Sequence, residues 1–466
     1  MVNFKGILRQ YQLETIEFMK HKPAIFMCHD MGLGKTIITL YYCELTKEQN
    51  PSKILILCPS QVINTWKEEI EKWTNTNYVI IEGTSKQRRE LWKKDVYYYI
   101  TNYEKLRTDT ELFQKKWGII VADECTKLKS ISSQLTQQAS KLKSFKRIAL
   151  SGFPIHNSPI DLYSIISFFV FPYYFGKYPQ FKNKYVETEL VEMGDKVFSK
   201  VIGYKNLNDL KKRISPFFIR KTKQEVLPEL PPLIFETLSV GMTSNQKQIY
   251  DTIMADINDE EPELNLLTAL KLLSNHPQLL KETEGNTIKK YGNMVVDLKS
   301  NKLDTLLEFL EEQTKENKIV IFSQYTGMLD IISNHIKILH TFIRGDTPKA
   351  WNDKNIEIFK TDSTAKVLLS SDSGAFGINL QEASIIIHYD LPFNPAIYKQ
   401  RIDRLYRIGQ TKGVVCINFV TNSTIEHRVL QILLNKVNMI DQVIEGTIEK
   451  DFLKQIFETI KNGNSN

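Results

Sequence analysis

The chain has 466 residues, enough for two or three domains that each bury a core. It is 42% hydrophobic and 25% charged, and no apolar run approaches the roughly 20 residues that a membrane span needs. The start of the chain lacks the apolar core of a signal peptide, so we expect a soluble, intracellular protein. A net charge of +7 permits nucleic-acid binding without demonstrating it, and five cysteines without C-x-x-C spacing indicate neither a zinc site nor disulfides.

The first informative segment is a glycine-rich turn. Residues 24–28 form an apolar run that predicts a buried strand, and residues 35–45 predict a helix, so Gly32 and Gly34 fall on the turn between them. Glycines there let the main chain approach a polyphosphate, and the first amides of the helix point toward it. The turn predicts a phosphate site, although the strict pattern has glycine where His29 stands.

A carboxylate pair follows the apolar strand predicted at residues 118–122. Lys35 is expected on the β and γ phosphates, and Thr36 is expected to offer its hydroxyl to Mg²⁺. Asp123 would hold the same ion, and Glu124 would activate the attacking water. An isolated Asp-Glu pair is more often a helix cap or a solvated loop charge, but with the glycine-rich turn it predicts hydrolysis of a nucleoside triphosphate.

Short apolar strands alternate with helical patterns in two parts of the chain. This α/β rhythm predicts two similar lobes. The predicted strands are residues 24–28, 54–58, 97–100, 119–122 and 147–150 in the first lobe, and 319–322, 367–370, 385–388 and 414–419 in the second.

The region between the two series, residues 165–300, lacks strand alternation and is predicted to be helical. Its Pro-rich segment 227–232 breaks the pattern and predicts the boundary between lobes. Basic residues gather at 205–223, which is most often a solvated face but beside a nucleotide motor indicates contact with a phosphate backbone. After residue 423 the chain is predicted to be helical to its end.

The segment 400–410 places Arg404 and Arg407 three residues apart, on one face if the segment is helical. Two permanent cations suit a γ-phosphate. If the second lobe closes over nucleotide held by the first, these arginines can neutralise charge in the transition state, as arginine fingers do. The alternative interpretation is an ordinary pair of surface salt bridges.

These motifs, with others in the same order, make the chain resemble the Swi/Snf-type translocases of helicase superfamily two. The resemblance runs from Leu8 to about residue 440. Residues 217–223 running into 230–232 separate this family from other branches of the superfamily. The segments that carry the resemblance are 8–12, 31–36, 56–60 with 66–69, 101–104, 150–157, 217–223 with 230–232, 321–325, 371–380, 390–395 and 400–410.

The resemblance implies an α/β fold of two RecA-like parallel-sheet lobes with helical insertions and a C-terminal helical segment. It implies ATP and Mg²⁺ as cofactors, with Gln12 selecting adenine. The implied site residues are Gln12, Gly32, Leu33, Gly34, Lys35 and Thr36 for ATP, Thr36 and Asp123 for the metal, Lys35, Glu124, Arg404 and Arg407 for catalysis, and Ser60, Gln61, Thr101, Asn102, Gln324, Ser371 and Asn379 for DNA.

The expected domain limits follow from the same pattern. Residues 1–165 are the ATP-binding lobe, 166–235 a helical protrusion with the linker, 236–300 a helical protrusion of the second lobe, 301–423 the second lobe, and 424–466 helices that pack back on the lobes.

Four departures from the family pattern bear on activity. His29-Asp30 replaces Asp-Glu, which main-chain chemistry should tolerate, and Ala375 replaces a second glycine. Thr126 replaces a histidine that could link nucleotide to the coupling motif, and Phe153 replaces a threonine within that motif. None removes a residue expected to hold magnesium or phosphate, so we expect an active ATPase. We expect these changes to affect how tightly hydrolysis is coupled to stepping.

The resemblance predicts a DNA-stimulated ATPase, a monomer, that tracks along duplex DNA without regard to sequence and remodels or strips bound protein. No chromatin-reading module is recognisable, so nucleosome remodelling gains no support, and phosphate contacts alone do not distinguish an RNA track. One alternative is a strand-separating helicase or the motor of a restriction or repair complex, whose wedge could only be the aromatic-rich residues 168–181. Another is a decayed DNA-binding scaffold, against which the retained Lys35, Asp123, Glu124, Arg404 and Arg407 argue.

Overall fold

The computed structural model describes residues 4–47, 52–152, 160–193, 196–257, 264–372, 378–431 and 433. The described chain divides into two compact units, one up to Pro228 and one from Glu229. We call residues 4–228 the first unit and residues 229–433 the second unit. The division falls within the Pro-rich segment 227–232. Among the described helices, none is both long and apolar enough to cross a membrane.

The first unit is built on a parallel sheet which, in the described residues, has seven strands in the order β3-β4-β2-β5-β6-β1-β9. Strands β1 and β2 are buried at every position, because both faces of such a sheet are covered, and this explains their continuous apolar runs. The strands of this unit are β1 Ala24–Met27, β2 Ile54–Cys58, β3 Tyr78–Ile80, β4 Tyr98–Asn102, β5 Lys116–Ala122, β6 Lys143–Leu150, β7 Val186–Met193, β8 Lys196–Tyr204 and β9 Phe218–Ile219.

Helices cover this sheet and place the loops at its edge. Two of them, α2 and α3, follow β1 and β2 and position the loops at the carboxyl ends of those strands. The helices are α1 Gln10–Met19, α2 Lys35–Lys47, α3 Ile63–Trp73, α4 Ser85–Lys93, α5 Lys105–Thr108, α6 Glu111–Gln114, α7 Gln134–Lys141, α8 Ile160–Ile165, α9 Tyr178–Tyr185, α10 Leu207–Ile214 and α11 Lys223–Val226, with 3₁₀ turns Ser60–Val62 and Cys125–Leu128 and a π-helical turn Ile166–Val170.

The second unit has a second parallel sheet, with six strands in the described residues in the order β10-β15-β14-β11-β13-β12. The prediction of an α/β fold with two parallel-sheet lobes is therefore confirmed. Its strands are β10 Leu233–Val240, β11 Ile319–Ser323, β12 His340–Ile343, β13 Val367–Ser371, β14 Ile385–His388 and β15 Val414–Thr421. Its helices are α12 Ser244–Ala255, α13 Leu264–Asn275, α14 Pro277–Glu282, α15 Asn286–Gly292, α16 Asn301–Gln313, α17 Thr326–His335, α18 Lys349–Thr361 and α19 Pro395–Ile402.

The prediction that residues 165–300 are wholly helical is wrong in three places. Strands β7 and β8 form an antiparallel hairpin, β9 pairs with β1, and β10 pairs with β15 over its whole length. The limit expected at residue 235 therefore falls inside a strand of the second sheet. Both β9 and β10 lie at sheet edges, where a strand does not need a long apolar run. The hydrophobic pattern therefore did not predict them.

The aromatic-rich insertion forms a packed core. Phe175 and Phe181 are buried, with ring centroids 5.0 Å apart, and Tyr163 lies 4.9 Å from Phe181. Phe181 in turn contacts Tyr185 at 4.8 Å. Rings that pack on one another in this way are not available to stack on nucleic-acid bases. Tyr173, by contrast, is 86% exposed.

Residues 425–431 are helical, as predicted for the region after residue 423, and residues from 434 onward lie outside the described residues. This helix is tied to the second unit by a buried ion pair. Lys302 Nζ and Glu426 Oε1 are 2.7 Å apart, and each side chain is 2% exposed.

Candidate nucleotide and DNA sites

The glycine-rich turn leaves β1 and leads directly into α2. Gly32 and Gly34 have φ angles of +82° and +75°, a region that side chains rarely adopt. The Lys35 ammonium donates hydrogen bonds to the carbonyl oxygens of His29, at 2.8 Å, and Asp30, at 3.3 Å. The cation therefore lies across the turn, beside the helix N-terminus, whose main-chain N–H groups attract anions.

Gln12 packs against the same turn. It is buried, and its Nε2 donates to the carbonyl oxygen of Leu33 at 3.4 Å, while Tyr11 Oη donates to that oxygen at 3.0 Å. A Cβ atom on Gly34 would lie only 2.6 Å from Gln12 Nε2. Helix α1 therefore closes one side of the turn, and the φ of +75° at position 34 favours glycine. The adenine-selecting role of Gln12 stays a prediction.

The carboxylate pair directly follows β5. Asp123 Oδ2 accepts a hydrogen bond from Trp66 Nε1 at 2.8 Å, and Oδ1 accepts one from the main-chain N–H of Glu124 at 3.0 Å. Burial raises the pKa of Asp123, while the Trp66 indole and the Lys35 ammonium oppose that rise. Glu124 has a left-handed φ of +49°, a strain of about 1–3 kcal/mol that recurs at functional sites.

These side chains fit a magnesium ion. Thr36 is half-buried at the start of α2, and hydroxyl and carboxylate oxygens are ligands that Mg²⁺ accepts in small number beside phosphate and water. The surroundings of Asp123 disfavour its charged form, so a divalent cation would stabilise it. Thr36 and Asp123 would hold the ion, which would neutralise phosphate charge.

His29 and Asp30 anchor the turn on two sides. His29 is fully buried, with Nε2 2.8 Å from Thr15 Oγ1 on α1, and burial lowers its pKa to about 3, so the ring is neutral. Asp30 Oδ2 accepts from the main-chain N–H of Lys223 at 3.2 Å, and Oδ1 lies 4.0 Å from Arg220. The turn is thereby held to α1 and to the segment between β9 and α11.

The basic cluster at 205–223 has mixed roles. Besides Arg220 and Lys223, Lys221 pairs with Glu14 at 3.2 Å, and Arg213 donates to Tyr185 Oη at 3.2 Å. These contacts lie within the first unit and occupy part of the charge expected to face a phosphate backbone. The members of the cluster that are exposed are Lys205, Lys211 and Lys212.

The predicted DNA contacts of the first unit lie at the carboxyl ends of β2 and β4. Ser60 and Gln61 are exposed, and Asn102 is half-buried. Thr101 is 0% exposed. The structure therefore does not support a contact between the Thr101 side chain and DNA, because the residue points into the unit.

Among the predicted DNA contacts of the second unit, Gln324 and Asn379 are exposed. Gln324 Nε2 donates to Asp390 Oδ1 at 3.1 Å, and the Asn379 amide oxygen accepts from Arg407 Nη1. Ser371 is 4% exposed, so its side chain, like that of Thr101, is enclosed and is not placed to contact DNA.

The arginine segment is helical only at residues 400–402, so Arg404 and Arg407 do not share a helix face as the spacing would have placed them. Helix α19 ends at Ile402, and residues 403–409 form turns. The helix stops because the chain must reverse to enter β15, and Gly409, with φ +97°, assists that reversal. Arg404 and Arg407 are half-buried within these turns.

Sequence reasoning missed Arg401 in the same segment. Its side chain is 2% exposed, and Nε and Nη2 donate to the two carboxylate oxygens of Asp372 at 2.6 and 3.0 Å. Nη1 donates to the carbonyl oxygen of Asp390 at 2.9 Å. This two-bond contact fixes the end of β13 against α19. The sequence showed Arg401 only as a third arginine in the segment, with nothing to distinguish its role from those of Arg404 and Arg407.

Comparison with known proteins places this site in a family. A family model described as the SNF2-related domain matches residues 11–304, and one described as the helicase conserved C-terminal domain matches residues 301–409. The chain belongs to the SNF2-related family. The Swi/Snf resemblance drawn from the motifs is therefore confirmed.

Relatives of this SNF2-related chain have about 29% identity. The ISWI chromatin-remodeling complex ATPase ISW1 of Saccharomyces cerevisiae is 29% identical over 94% of this chain and 41% of its own length. The putative ATP-dependent helicase/translocase YwqA of Bacillus subtilis is 29% identical over 95% of this chain and 49% of its own. The chain thus spans less than half of each of these two relatives. A solved Sulfolobus solfataricus SWI2/SNF2 ATPase core in complex with dsDNA is 30% identical, covers 95% of this chain and 94% of its own, and has a TM-score of 0.47.

Of the departures from the SNF2-related pattern, Thr126 lies in the 3₁₀ turn after Glu124 and is 9% exposed. Phe153 and Ala375 lie outside the described residues, as does most of the coupling motif 150–157. The effect of these departures on coupling stays a prediction.

Proposed function

We propose that this chain is a DNA-dependent ATPase that moves along duplex DNA. The observation that carries the proposal is that the Lys35 turn and the Asp123-Glu124 carboxylates follow β1 and β5 of one parallel sheet, in a chain of the SNF2-related family. Carboxyl ends of parallel strands lie at one edge of a sheet, so the phosphate and metal residues are at the same edge. Of the two relatives, ISW1 is named an ATPase and YwqA a putative ATP-dependent helicase/translocase.

In the proposed reaction, Lys35 and the N-terminus of α2 would bind the phosphates, and Thr36 and Asp123 would hold magnesium. Magnesium, when bound, neutralises charge on the phosphate oxygens. Glu124 orients water for attack and takes its proton. Arg404 and Arg407 are proposed, from the family resemblance, to neutralise charge that develops at the γ-phosphate.

For DNA we propose contacts through Ser60, Gln61 and Asn102 in the first unit and through Gln324 and Asn379 in the second. Contacts of this kind act mainly on phosphates, so binding should tolerate any sequence and weaken steeply with salt. We propose a monomer that acts inside the cell on duplex DNA and displaces or remodels bound protein.

The test is ATP turnover with duplex DNA, single-stranded DNA, RNA and no nucleic acid. We expect duplex to give the largest stimulation, and Glu124→Gln to reduce turnover by at least about 100-fold, as for removal of a catalytic base. Equal turnover with and without every nucleic acid, together with Glu124→Gln matching the parent, would favour the decayed scaffold instead.

Movement and strand separation are distinguished by two displacement assays. We expect ATP-dependent clearing of a triplex-forming strand and no unwinding of a tailed duplex. Burial of Phe175 and Phe181 in a core weakens the strand-separating alternative, whose candidate wedge keeps Tyr173 as an exposed ring. Unwinding of the tailed duplex at the rate of triplex clearing would favour that alternative.

A further inference from the structure

Two segments proposed to contact DNA each place an aromatic side chain against Asp123. Trp66 Nε1 donates to Asp123 Oδ2 at 2.8 Å, and Tyr103 Oη donates to the Asp123 carbonyl oxygen at 2.7 Å. Trp66 is 1% exposed and Tyr103 is 3% exposed. Trp66 belongs to the helix that follows Ser60, and Tyr103 directly follows Asn102.

The two contacts do different things. Tyr103 holds the main chain of Asp123 and therefore sets where the residue lies. Trp66 holds a carboxylate oxygen and therefore sets the orientation of the carboxylate that is the proposed metal ligand. Oδ1 is already engaged by the N–H of Glu124, so the indole decides the position of Oδ2.

Trp66 lies in the same family segment as Ser60, but its burial excludes direct contact with a DNA strand. The 3₁₀ turn Ser60–Val62 runs without interruption into α3, so the exposed Ser60 and Gln61 and the buried Trp66 lie on one continuous helical piece. A hydrogen bond of 2.8 Å is lost by about 3.5 Å. A shift of α3 by less than about 1 Å is therefore enough to release Oδ2.

We propose that Trp66 is a positioning residue that makes magnesium binding at Asp123 respond to DNA bound at Ser60 and Gln61. DNA contact fixes the start of α3, α3 fixes the indole, and the indole fixes the orientation of the carboxylate that would hold the metal. The proposal rests on the proposed function for its DNA half. Its metal half, the dependence of Mg²⁺ binding on the Trp66 N–H, stands on the first unit alone.

The test uses Trp66→Phe, which keeps a buried ring and removes the donor. The matched control is Trp92→Phe, since Trp92 is also buried and donates from Nε1 to a carboxylate, Asp109 Oδ2, at 3.0 Å. Asp109 keeps its bonds to Arg88 in the control. Both variants lose one indole-to-carboxylate bond in the same unit.

Binding of fluorescent N-methylanthraniloyl-ADP is titrated with MgCl₂, with and without a 30-base-pair duplex. In the parent we expect DNA to lower the Mg²⁺ concentration that gives half-maximal binding. Trp66→Phe should raise that concentration by about tenfold, the effect of losing one hydrogen bond to a charged group, and should abolish its response to DNA. Trp92→Phe should match the parent in both respects.

An unchanged Mg²⁺ midpoint and an unchanged DNA response in Trp66→Phe would overturn the proposal. If the phenylalanine variant does not fold, benzothienylalanine at position 66 replaces the N–H by sulfur with almost no change in shape and gives the same test. DNA binding is measured separately by fluorescence anisotropy. A parent that binds no DNA contradicts the proposed function, while the Mg²⁺ shift without DNA still tests the link between Trp66 and Asp123.

Discussion

Single atoms decide the geometry of the nucleotide site. A Cβ at Gly34 would meet Gln12, Trp66 engages one carboxylate oxygen of Asp123, and His29 is buried beneath the turn. At each of these positions the chemical identity of the residue matters more than its hydrophobicity. Substitutions there should therefore alter function before they alter the fold.

Gly34→Ala should abolish nucleotide binding without unfolding the chain. The new Cβ would lie 2.6 Å from Gln12 Nε2 and 2.8 Å from Ile37 Cγ2, with φ at +75°. The left-handed alanine costs about 1–2 kcal/mol, and the clash must displace the turn or the Gln12 and Ile37 side chains that pack on it. Gly241→Ala is the control, because nothing lies within 4 Å of a Cβ at that position. Nucleotide affinity within twofold of the parent in Gly34→Ala would contradict this account.

His29 should make the chain sensitive to acid. Burial lowers its pKa from 6.5 to about 3, so the unfolded chain takes up a proton first as the pH falls. The free energy of unfolding should therefore decrease between about pH 6.5 and 3, by up to about 1.4 kcal/mol per pH unit. It should be unaffected by this group above pH 6.5.

His29→Gln should flatten that part of the plot of thermal midpoint against pH. The exposed His21 serves as the control, and His21→Asn should leave the slope unchanged because asparagine tolerates the φ of +61° found there. An equal acid slope in the parent and in His29→Gln would show that other groups govern the loss of stability.

At the scale of elements, edge strands join distant parts of the sequence to the nucleotide turn. Strand β9 pairs with β1, and directly after β9 the carbonyl oxygen of Lys221 accepts a hydrogen bond from the Asp30 main-chain N–H at 3.0 Å. The segment that the sequence suggested as a linker is therefore also the outer wall of the phosphate turn. A change in this segment should reach the turn through Asp30.

Asp30→Ala should loosen that wall. It removes the acceptor for the Lys223 N–H and the charge beside Arg220, so amide hydrogen exchange in residues 217–226 should accelerate by about tenfold, as for the loss of about 1.4 kcal/mol. Glu14→Ala removes the more exposed ion pair to Lys221, and such pairs contribute little. Equal exchange in the two variants would argue against the role of Asp30.

At the scale of the whole molecule, each unit has its own sheet and its own core. The second unit depends on contacts between residues far apart in sequence, and the buried pair of Lys302 and Glu426 is the strongest example. Glu426 Oε2 also accepts from the main-chain N–H of Thr421 at 2.8 Å, so the carboxylate closes the end of β15.

Lys302→Met should destabilise the second unit by about 3–5 kcal/mol, because it leaves a buried carboxylate without its cation. Calorimetry should show a lower unfolding midpoint for the transition of the second unit, identified by limited proteolysis. Lys247→Met, which breaks the exposed pair with Asp251, should change the midpoint little. If the two substitutions lower the unfolding midpoint equally, burial does not determine how much each ion pair contributes to stability.

Local order in the sequence determined the nucleotide turn, the buried strands and the family, because a phosphate site needs glycines, a cation and a helix start at fixed spacing. The long apolar strands could also be predicted from the sequence, since both of their faces are covered and their residues are therefore apolar throughout. Edge strands such as β9 and β10 were not, because pairing with one neighbour leaves little hydrophobic pattern. The turn that holds Arg404 and Arg407 was also hidden, since an arginine spacing of three suits a helix and a turn alike.

The tertiary structure alone decided which polar side chains meet. It enclosed Thr101 and Ser371, which the motifs had assigned to DNA, and it brought Trp66 to Asp123 across 57 positions of the chain. It also paired Arg401 with Asp372 rather than leaving it beside the other arginines. Such contacts join residues on different strands and helices, so no local pattern of spacing or hydrophobicity encodes them.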